Sequence, residues 1–189
     1  MKKIITQILN DSLKVKQESI EKYAHRLEQC AQTMAECLAS GHKILIFGNG
    51  GSAADAQHLA AEFVNRFQIE RPPLAAIALT TDTSIITSIG NDYDYKEIFS
   101  KQIKAIGKKH DIAWGISTSG NSANVVDALC VARELALTTI GMTGEGGGKT
   151  AAYSDILLPV NSCITARIQE THITMGHILC DLVDRILFP

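Results

Sequence analysis

Apolar residues recur at helical spacing along the first forty residues of the chain. From about Ile5 to Leu38 they fall on one stripe, at intervals of three and four residues. Gly41 ends this run, and the residues KILIF (43–47) then form a short, continuous apolar stretch. The spacing predicts a long N-terminal helix, and the stretch is typical of a strand that is buried on both faces.

The rest of the chain alternates between strand-like and helix-like patterns. Short apolar runs predict four further strands, at Leu74–Leu79, Ile112–Ile116, Thr138–Met142 and Ile156–Val160. Longer stretches predict helices, at Ser52–Phe67, Tyr95–Ile106, Ala123–Leu135 and Thr165–Leu187. The alternation predicts an α/β fold in which a parallel five-stranded sheet lies between two layers of helices. We expect one domain over residues 41–189 and a helical N-terminal extension over residues 1–40, packed on that layer or on a second subunit.

Composition and charge narrow the classes of function. The 189 residues carry a formal net charge of −2, which argues against a broad nucleic-acid-binding face. No apolar run reaches the roughly 18–20 residues of a membrane-spanning helix, and the start of the chain turns polar too early for a signal peptide. The five cysteines are odd in number and unclustered, which is typical of reduced thiols in a cytoplasmic protein.

Three loops that are rich in glycine or hydroxyl groups follow predicted strands. Open parallel sheets bind ligands at the carboxyl ends of their strands, so these loops are candidates for a binding site. The first loop, GNGGSA (residues 48–53), fits a permissive dinucleotide fingerprint. That fingerprint also needs an acidic residue at the end of the second strand. Asp82 lies late for that role, so the motif alone does not establish nicotinamide binding.

The loop after the third predicted strand, STSGNS (residues 117–122), carries more information. Three consecutive hydroxyl residues leave the strand, a glycine permits a sharp turn, and Ser122 opens the next helix. The first amides of a helix lack intrahelical partners and carry the positive end of its dipole, so this loop predicts a phosphate cradle. The alternative is that Ser122 or Asn121 only caps the helix. Gly50, Gly51 and Ser52 open another helix and could face the same anion.

The loop after the fourth predicted strand, TGEGGGKT (residues 143–150), is not a P-loop. A P-loop has four residues between its first glycine and Gly-Lys-Thr, which would require a glycine at Thr143. We interpret this stretch as a solvated loop that could close over a ligand.

Candidate metal ligands lie on two predicted helices. His58 and Glu62 are four residues apart and therefore share a helix face. Imidazole and carboxylate both suit zinc, although exposed pairs at this spacing are also common without a metal. On the last predicted helix, Gln169 and His177 are about 12 Å apart along the axis, so an ion between them would also need a ligand from another helix. His172 is closer to Gln169 in the sequence and is an alternative metal ligand, and spacing alone does not decide between His172 and His177.

Taken together, these loops and ligands resemble the sugar isomerase (SIS) fold and look closely like the sedoheptulose 7-phosphate isomerases. Five blocks match that family in order over nearly the whole chain: GNGGSAADAQHLAAE, GNDYDY, GISTSGNSANV, TGEGGGK and ARIQETHI. The resemblance implies a bacterial cytoplasmic enzyme that converts sedoheptulose 7-phosphate to D-glycero-D-manno-heptose 7-phosphate, which opens the route to activated heptose for surface polysaccharide. It also implies a homotetramer with active sites at subunit contacts.

The same resemblance implies roles for individual residues. One zinc ion per subunit would be held by His58, Glu62, Gln169 and His177. Besides Glu62 and Gln169, the residues expected to contact the sugar phosphate are Asn49, Gly50, Gly51, Ser52, Asn91, Asp92, Ser117, Thr118, Ser119 and Ser122. The chain departs from some members at Ala166, where they carry an acidic residue, and this puts a secondary sugar contact in doubt.

An aldose–ketose isomerase moves a proton between adjacent carbons through an enediol, which needs a base at carbon and an acid at the neighbouring oxygen. We expect Glu62 to be the base and His177 to act at the oxygens, with Asp181 as a candidate to orient the imidazole. The alternative is a non-enzymatic SIS protein that associates with the bacterial replication initiator. In that relative the acid and the last histidine are missing, whereas Glu62 and His177 are both present here.

Overall fold

Five parallel strands form one sheet at the centre of the chain. In this computed structural model, which describes residues 1–189, the strands are β1 (Ile44–Gly48), β2 (Ala76–Ala78), β3 (Ile112–Ser117), β4 (Thr138–Thr143) and β5 (Ile156–Pro159). Their order across the sheet is β2-β1-β3-β4-β5, and every neighbouring pair is parallel. The predicted α/β class and the five parallel strands are therefore confirmed.

Six α-helices surround the sheet, and the chain also contains two short 3-10 helices, at Tyr95–Glu97 and Gly148–Tyr153. The α-helices are α1 (Lys2–Ala39), α2 (Gly51–Val64), α3 (Thr83–Asp92), α4 (Ser100–Ile106), α5 (Ala123–Glu134) and α6 (Thr165–Leu187). Side chains alternate across β1, so Ile44 and Ile46 pack in one core with α1, α2 and α6, whereas Leu45 and Phe47 pack in a second core with α4 and α5. Each face of the sheet is thus covered by helices, as expected for buried parallel strands.

The N-terminal helix has a buried half and an exposed half. From Leu27 onward α1 contributes to the core beside α6, and a non-helical backbone at Tyr23 (φ −112°, ψ 16°) marks a kink before that point. Towards the N-terminus, five large apolar side chains remain between 49% and 66% exposed: Ile4, Ile5, Ile8, Leu9 and Leu13. A contiguous apolar stripe of this kind is typical of a surface that packs against another chain.

None of the helices combines the length and apolar character that spanning a bilayer requires.

α3 was not predicted, and two other predicted elements differ in extent from those observed. The segment of α3 is rich in β-branched residues, which do not favour a helix, but Asp82 caps it by accepting a hydrogen bond from the Ile85 amide at 2.9 Å. Asp82 therefore has a structural role as the N-cap of α3. The helix expected over Tyr95–Ile106 is divided at Ile98–Phe99. The second strand covers only Ala76–Ala78, and the Leu74 amide donates to the Phe63 carbonyl of α2 at 3.0 Å instead of to a neighbouring strand.

Candidate active site

The loops that follow β1 and β3 meet where the sheet order changes direction. The chain leaves β1 towards β2 on one side and leaves β3 towards β4 on the other, which makes this edge the ligand-binding crevice of an open α/β sheet. Two side-chain amides bridge the loops: Asn49 Nδ2 donates to Asn124 Oδ1 at 2.8 Å, and Asn124 Nδ2 donates to Asn49 Oδ1 at 2.9 Å. The structure therefore joins the loop after β1 to the first turn of α5, which directly follows the 117–122 loop.

Ser122 does not cap the helix that it precedes. Its hydroxyl lies 3.0 Å from the hydroxyl of Ser117, and α5 begins without a side-chain cap. The amides of Ala123 and Asn124 consequently have no partner within the chain. α2 also begins without a side-chain cap, after Gly50. Two uncapped helix N-termini beside paired hydroxyls form a cradle in which an anion can take the place of the missing caps.

A cavity of about 310 Å³ adjoins this cradle, between the 117–122 loop and the start of α6. It is lined by Thr118, Ser119, Glu145, Ser162, Cys163, Thr165 and Ile168. Glu145 belongs to the third candidate loop, whereas Ser162 and Thr165, just before and at the start of α6, were not assigned to the site because nothing in their spacing distinguishes them from other polar residues. Thr118 and Ser119 were predicted to contact the sugar, and their position in this wall is compatible with that role.

The glycine-rich loop after β4 packs against the cradle, so the predicted solvated loop over residues 143–150 is exposed at only half of its positions, Glu145, Gly146, Gly148 and Lys149. The amide and the hydroxyl of Thr150 both donate to the Gly120 carbonyl at 2.9 Å, and Gly144 donates to the Thr118 carbonyl at 2.9 Å. A Cβ atom at Gly120 would overlap the carbonyl oxygen of Gly147. Only glycine fits this contact, which ties the two loops together.

Asn91 and Asp92 lie at the exposed end of α3. Asn91 Nδ2 donates to Asp92 Oδ1 at 2.8 Å, and neither side chain bonds to another predicted site residue. Tyr95, a few residues later, brings its hydroxyl to 3.5 Å from Asn49 Oδ1. The sugar contacts expected of Asn91 and Asp92 remain a prediction.

Two histidines and one glutamate meet where α2 and α6 lie side by side. His58 Nε2 is 2.9 Å from His177 Nε2 and 3.2 Å from Glu62 Oε1, and one ligand atom from each residue lies within 4.8 Å of the other two. The contact depends on Gly176, because a Cβ atom there would lie 2.5 Å from Leu59 Cδ2. The missing side chain lets the two helices approach and brings the imidazoles together.

The structure separates the two histidines that spacing could not distinguish. His172 is 1% exposed, and its Nε2 lies 3.0 Å from the Thr143 carbonyl. Burial lowers the pKa of His172 to about 4, although its hydrogen bond to Thr143 acts in the opposite direction. His177 is partly exposed beside His58. Its pKa is lowered by burial and by the charge of His58, while Glu62 acts in the opposite direction.

Gln169 occupies a different part of the same helix pair. Its carboxamide lies directly over Gly51, at the first turn of α2, two helical turns before His177 on α6. Within one chain the fourth predicted metal ligand therefore adjoins the cradle, and the cluster of His58, Glu62 and His177 lies further along. The metal role of Gln169 remains a prediction.

Two aspartates near the cluster do not hydrogen-bond to its histidines. Asp181, considered as a partner for His177, accepts a hydrogen bond from Arg185 Nε at 2.7 Å instead. Asp55 lies one turn before His58, and its Oδ2 atom is buried without a hydrogen-bond partner. Burial raises the pKa of Asp55 to about 6, an effect that the nearby His58 opposes.

Comparison with known proteins identifies the class of this fold. The SIS domain family matches residues 9–144. A phosphoheptose isomerase of Nitratidesulfovibrio vulgaris (strain Hildenborough) is 56% identical over 187 residues, which cover 99% of this chain and 90% of that protein. The chain belongs to the phosphoheptose isomerases, a family of aldose–ketose isomerases within the SIS class.

Solved structures agree with this assignment. The phosphoheptose isomerase GmhA from Neisseria gonorrhoeae is 46% identical, with a TM-score of 0.92 over 97% of this chain and 98% of that chain. A phosphoheptose isomerase from Francisella tularensis is 40% identical, with a TM-score of 0.93 over 97% of each chain. These relatives are enzymes by name, so the comparisons do not favour a non-enzymatic initiator-binding protein.

Proposed function

We propose that this protein converts sedoheptulose 7-phosphate to D-glycero-D-manno-heptose 7-phosphate, the first step in making activated heptose for bacterial surface polysaccharide. One observation carries the proposal: α2 begins in an anion cradle and carries His58 and Glu62 further along. About 10 Å of helix separates Gly51 from His58, which leaves room for an extended sugar between a phosphate at one end and acid–base chemistry at the other.

We assign phosphate binding to the cradle and proton transfer to the cluster. The amides at the starts of α2 and α5, with the hydroxyls of Ser117 and Ser122, hold the phosphate. Glu62 carries the proton between C2 and C1, and His177 exchanges protons with the neighbouring oxygens. Asn91 and Asp92, exposed at the end of α3, bind hydroxyl groups of the sugar.

The donor set of the cluster fits a zinc ion. Two imidazole nitrogens and a carboxylate, within 4.8 Å of one another, match catalytic zinc sites that have three protein ligands and an open position. The imidazole nitrogens of His58 and His177 are too close for both to carry a proton, which also suits a shared cation. When bound, zinc would polarise the carbonyl and hydroxyl oxygens of the sugar. Gln169 binds the sugar in its own chain and would reach an ion only across a subunit contact.

We also propose a homotetramer in the cytoplasm. The exposed apolar stripe on the first half of α1 supports association with other copies of the chain. All five cysteines are unpaired, which suits a reducing compartment.

The decisive experiment measures turnover of sedoheptulose 7-phosphate by the purified protein, with and without a chelator, and detects the aldoheptose 7-phosphate. Conversion that the chelator abolishes and zinc restores is the expected result. Conversion that is indifferent to chelator would retain the isomerase and remove zinc from the proposal. A folded protein that binds the sugar phosphate without converting it would overturn the proposed activity and return the initiator-associating alternative to consideration.

A further inference from the structure

Arg71 caps the C-terminal end of α2 from the loop that follows it. That end has no basic residue in its last turn and no glycine at its cap position, and the last carbonyls of a helix lack intrahelical partners. Arg71 Nη2 donates to the Glu62 carbonyl at 2.9 Å, and Nη1 donates to the Phe63 carbonyl at 2.7 Å. The guanidinium thus places a positive charge at the negative end of the helix dipole and holds the backbone of Glu62 directly.

The same guanidinium joins α2 to α6. Its Nε atom donates to Asp184 Oδ1 at 2.9 Å, and the side chains of Arg71 and Asp184 are only 1% and 4% exposed. Asp184 lies seven residues after His177 on α6, which is two turns along the same helix. Arg71 therefore connects the helix that carries Glu62 with the helix that carries His177.

Stability alone does not account for this buried pair. Charges lose their hydration when buried, and apolar residues of similar volume often replace such a pair without loss of stability. Asp184 Oδ2 is buried without a partner, so the pair is not fully satisfied. The guanidinium also donates to the carbonyls of Asn65 and Pro72, at 3.3 and 3.2 Å. The planar guanidinium of arginine can donate to these acceptors at the same time, whereas the ammonium of lysine is a compact charge with fewer donors.

The loop that carries Arg71 also touches the other side of the cluster. The ring of Phe67 lies 5.3 Å from the imidazole of His177, with an angle of 30° between their planes. One short segment thus fixes the backbone of Glu62 through Arg71 and lies against the side chain of His177 through Phe67.

We infer that Arg71 is a positioning residue for the active site, acting with Asp184 to set the backbone of Glu62 relative to His177. The inference rests on the proposed function for its catalytic consequence, because Arg71 itself touches neither sugar nor metal. Its structural consequence is independent of turnover, since the same geometry determines how well His58, Glu62 and His177 bind a metal ion.

The test compares three variants with the wild-type protein. Arg71→Lys keeps the positive charge but removes the planar guanidinium and its several hydrogen-bond donors. Arg71→Met combined with Asp184→Leu replaces the buried pair with apolar side chains. Arg133→Met is the control, because Arg133 is an exposed arginine on α5 that donates to one carbonyl, that of Ala152. For each protein we would measure the thermal midpoint, the zinc affinity by competition with a chromophoric chelator, and kcat and KM for sedoheptulose 7-phosphate.

We expect Arg71→Lys and the double variant to lose roughly 10–100-fold in zinc affinity and in kcat, as for other residues that orient metal ligands. KM should change little, since the cradle lies at the other end of α2, and Arg133→Met should match the wild type. The proposal is overturned if a folded Arg71→Lys, or a folded double variant, retains wild-type zinc affinity and kcat. If the wild-type protein binds zinc but does not turn over the sugar, the proposed function fails, and zinc affinity alone decides the role of Arg71.

Discussion

Gly176 of α6 packs directly on Leu59 of α2, and this contact sets the distance between the two helices at the His58–His177 pair. A methyl group at position 176 would lie 2.5 Å from Leu59 Cδ2, well inside van der Waals contact. His58 directly precedes Leu59 in the sequence, and His177 directly follows Gly176. If α2 and α6 move apart by even a fraction of an ångström, the distances between the candidate metal ligands on the two helices therefore change.

We expect Gly176→Ala to lower zinc affinity by roughly 10–100-fold, because the ligands would no longer converge on one point. Chelator competition on the purified variant measures this. Gly90→Ala is the matched control, since Gly90 is also helical and its nearest neighbour would be 3.9 Å from the added carbon. Equal zinc affinity in the two variants would show that the close approach of α2 and α6 is not required.

Glu62→Gln should reduce kcat by about 10²–10⁴-fold, because the amide cannot accept the proton from carbon. The variant has almost the same shape, so the thermal midpoint should stay near that of the wild type. Glu28→Gln on the exposed face of α1 provides the control. Substantial residual turnover in a folded Glu62→Gln protein would remove Glu62 from the role of base.

Ser122→Ala should raise KM by roughly 10–100-fold, since a hydrogen bond to a charged group contributes about 1.5–3 kcal/mol. Stability should change little, because the Ser122 hydroxyl pairs with Ser117 and does not cap α5. Steady-state kinetics and thermal melting distinguish the two effects. A large loss of stability with an unchanged KM would instead support a capping role. Ser88→Ala removes an exposed hydroxyl on α3 as the control.

Acid should destabilise the fold through His172. The unfolded histidine binds a proton near pH 6.5, whereas burial lowers the pKa of the folded one to about 4. Between these values the unfolded state holds the extra proton, so stability is fully present above pH 6.5 and falls as the pH drops towards 4, by about 3 kcal/mol in all.

Urea titrations across that pH range should show the loss in the wild type and a flatter curve in His172→Gln, whose amide can still donate to Thr143. His25→Gln, an exposed histidine, should leave the wild-type slope unchanged. Asp55, whose pKa is raised, acts in the opposite direction in all three proteins, so the difference between the curves isolates His172. Parallel curves for wild type and His172→Gln would contradict the assignment.

If the apolar stripe on α1 forms a subunit contact, charged residues placed on it should disrupt the oligomer. Ile5→Asp combined with Leu9→Asp should reduce the oligomer to smaller species, because burying unpaired carboxylates between subunits is unfavourable. Sedimentation velocity measures the mass directly. Asn10→Asp adds one charge at an exposed position on another side of the helix and should leave the assembly intact. An unchanged sedimentation coefficient in the double variant would exclude this stripe from the subunit contact.

β1, β3 and β5 could be predicted because each is a short, largely apolar run. β1 and β3 are buried along their whole length, and that burial is what makes their sequences continuous and apolar. α3 could not be predicted, since its Thr and Ile residues favour a strand and its helical form depends on the Asp82 cap and the surrounding packing.

Individual candidate site residues could be named from the sequence, but their spatial arrangement could not. Helical spacing placed His58 beside Glu62, yet the choice of His177 over His172 depends on how α6 is rotated against α2 and β4. The role of Arg71 had no sequence signal, because a loop arginine can only be recognised as a cap once the helix end and Asp184 are located around it.

The glycine contact between the 117–122 and 143–150 loops has a consequence for how this protein tolerates change. A Cβ atom at Gly120 would overlap the Gly147 carbonyl oxygen, and one at Gly148 would lie 2.7 Å from the Gly120 carbonyl oxygen, so neither Gly120 nor Gly148 can accept a side chain unless the opposite loop also moves. A saturation library should find both positions intolerant even though exposed residues surround them, and single substitutions there should be rescued only by insertions or deletions in the opposite loop. Sequence changes in one loop are then constrained by the other loop, so the two loops that border the cradle can change only together.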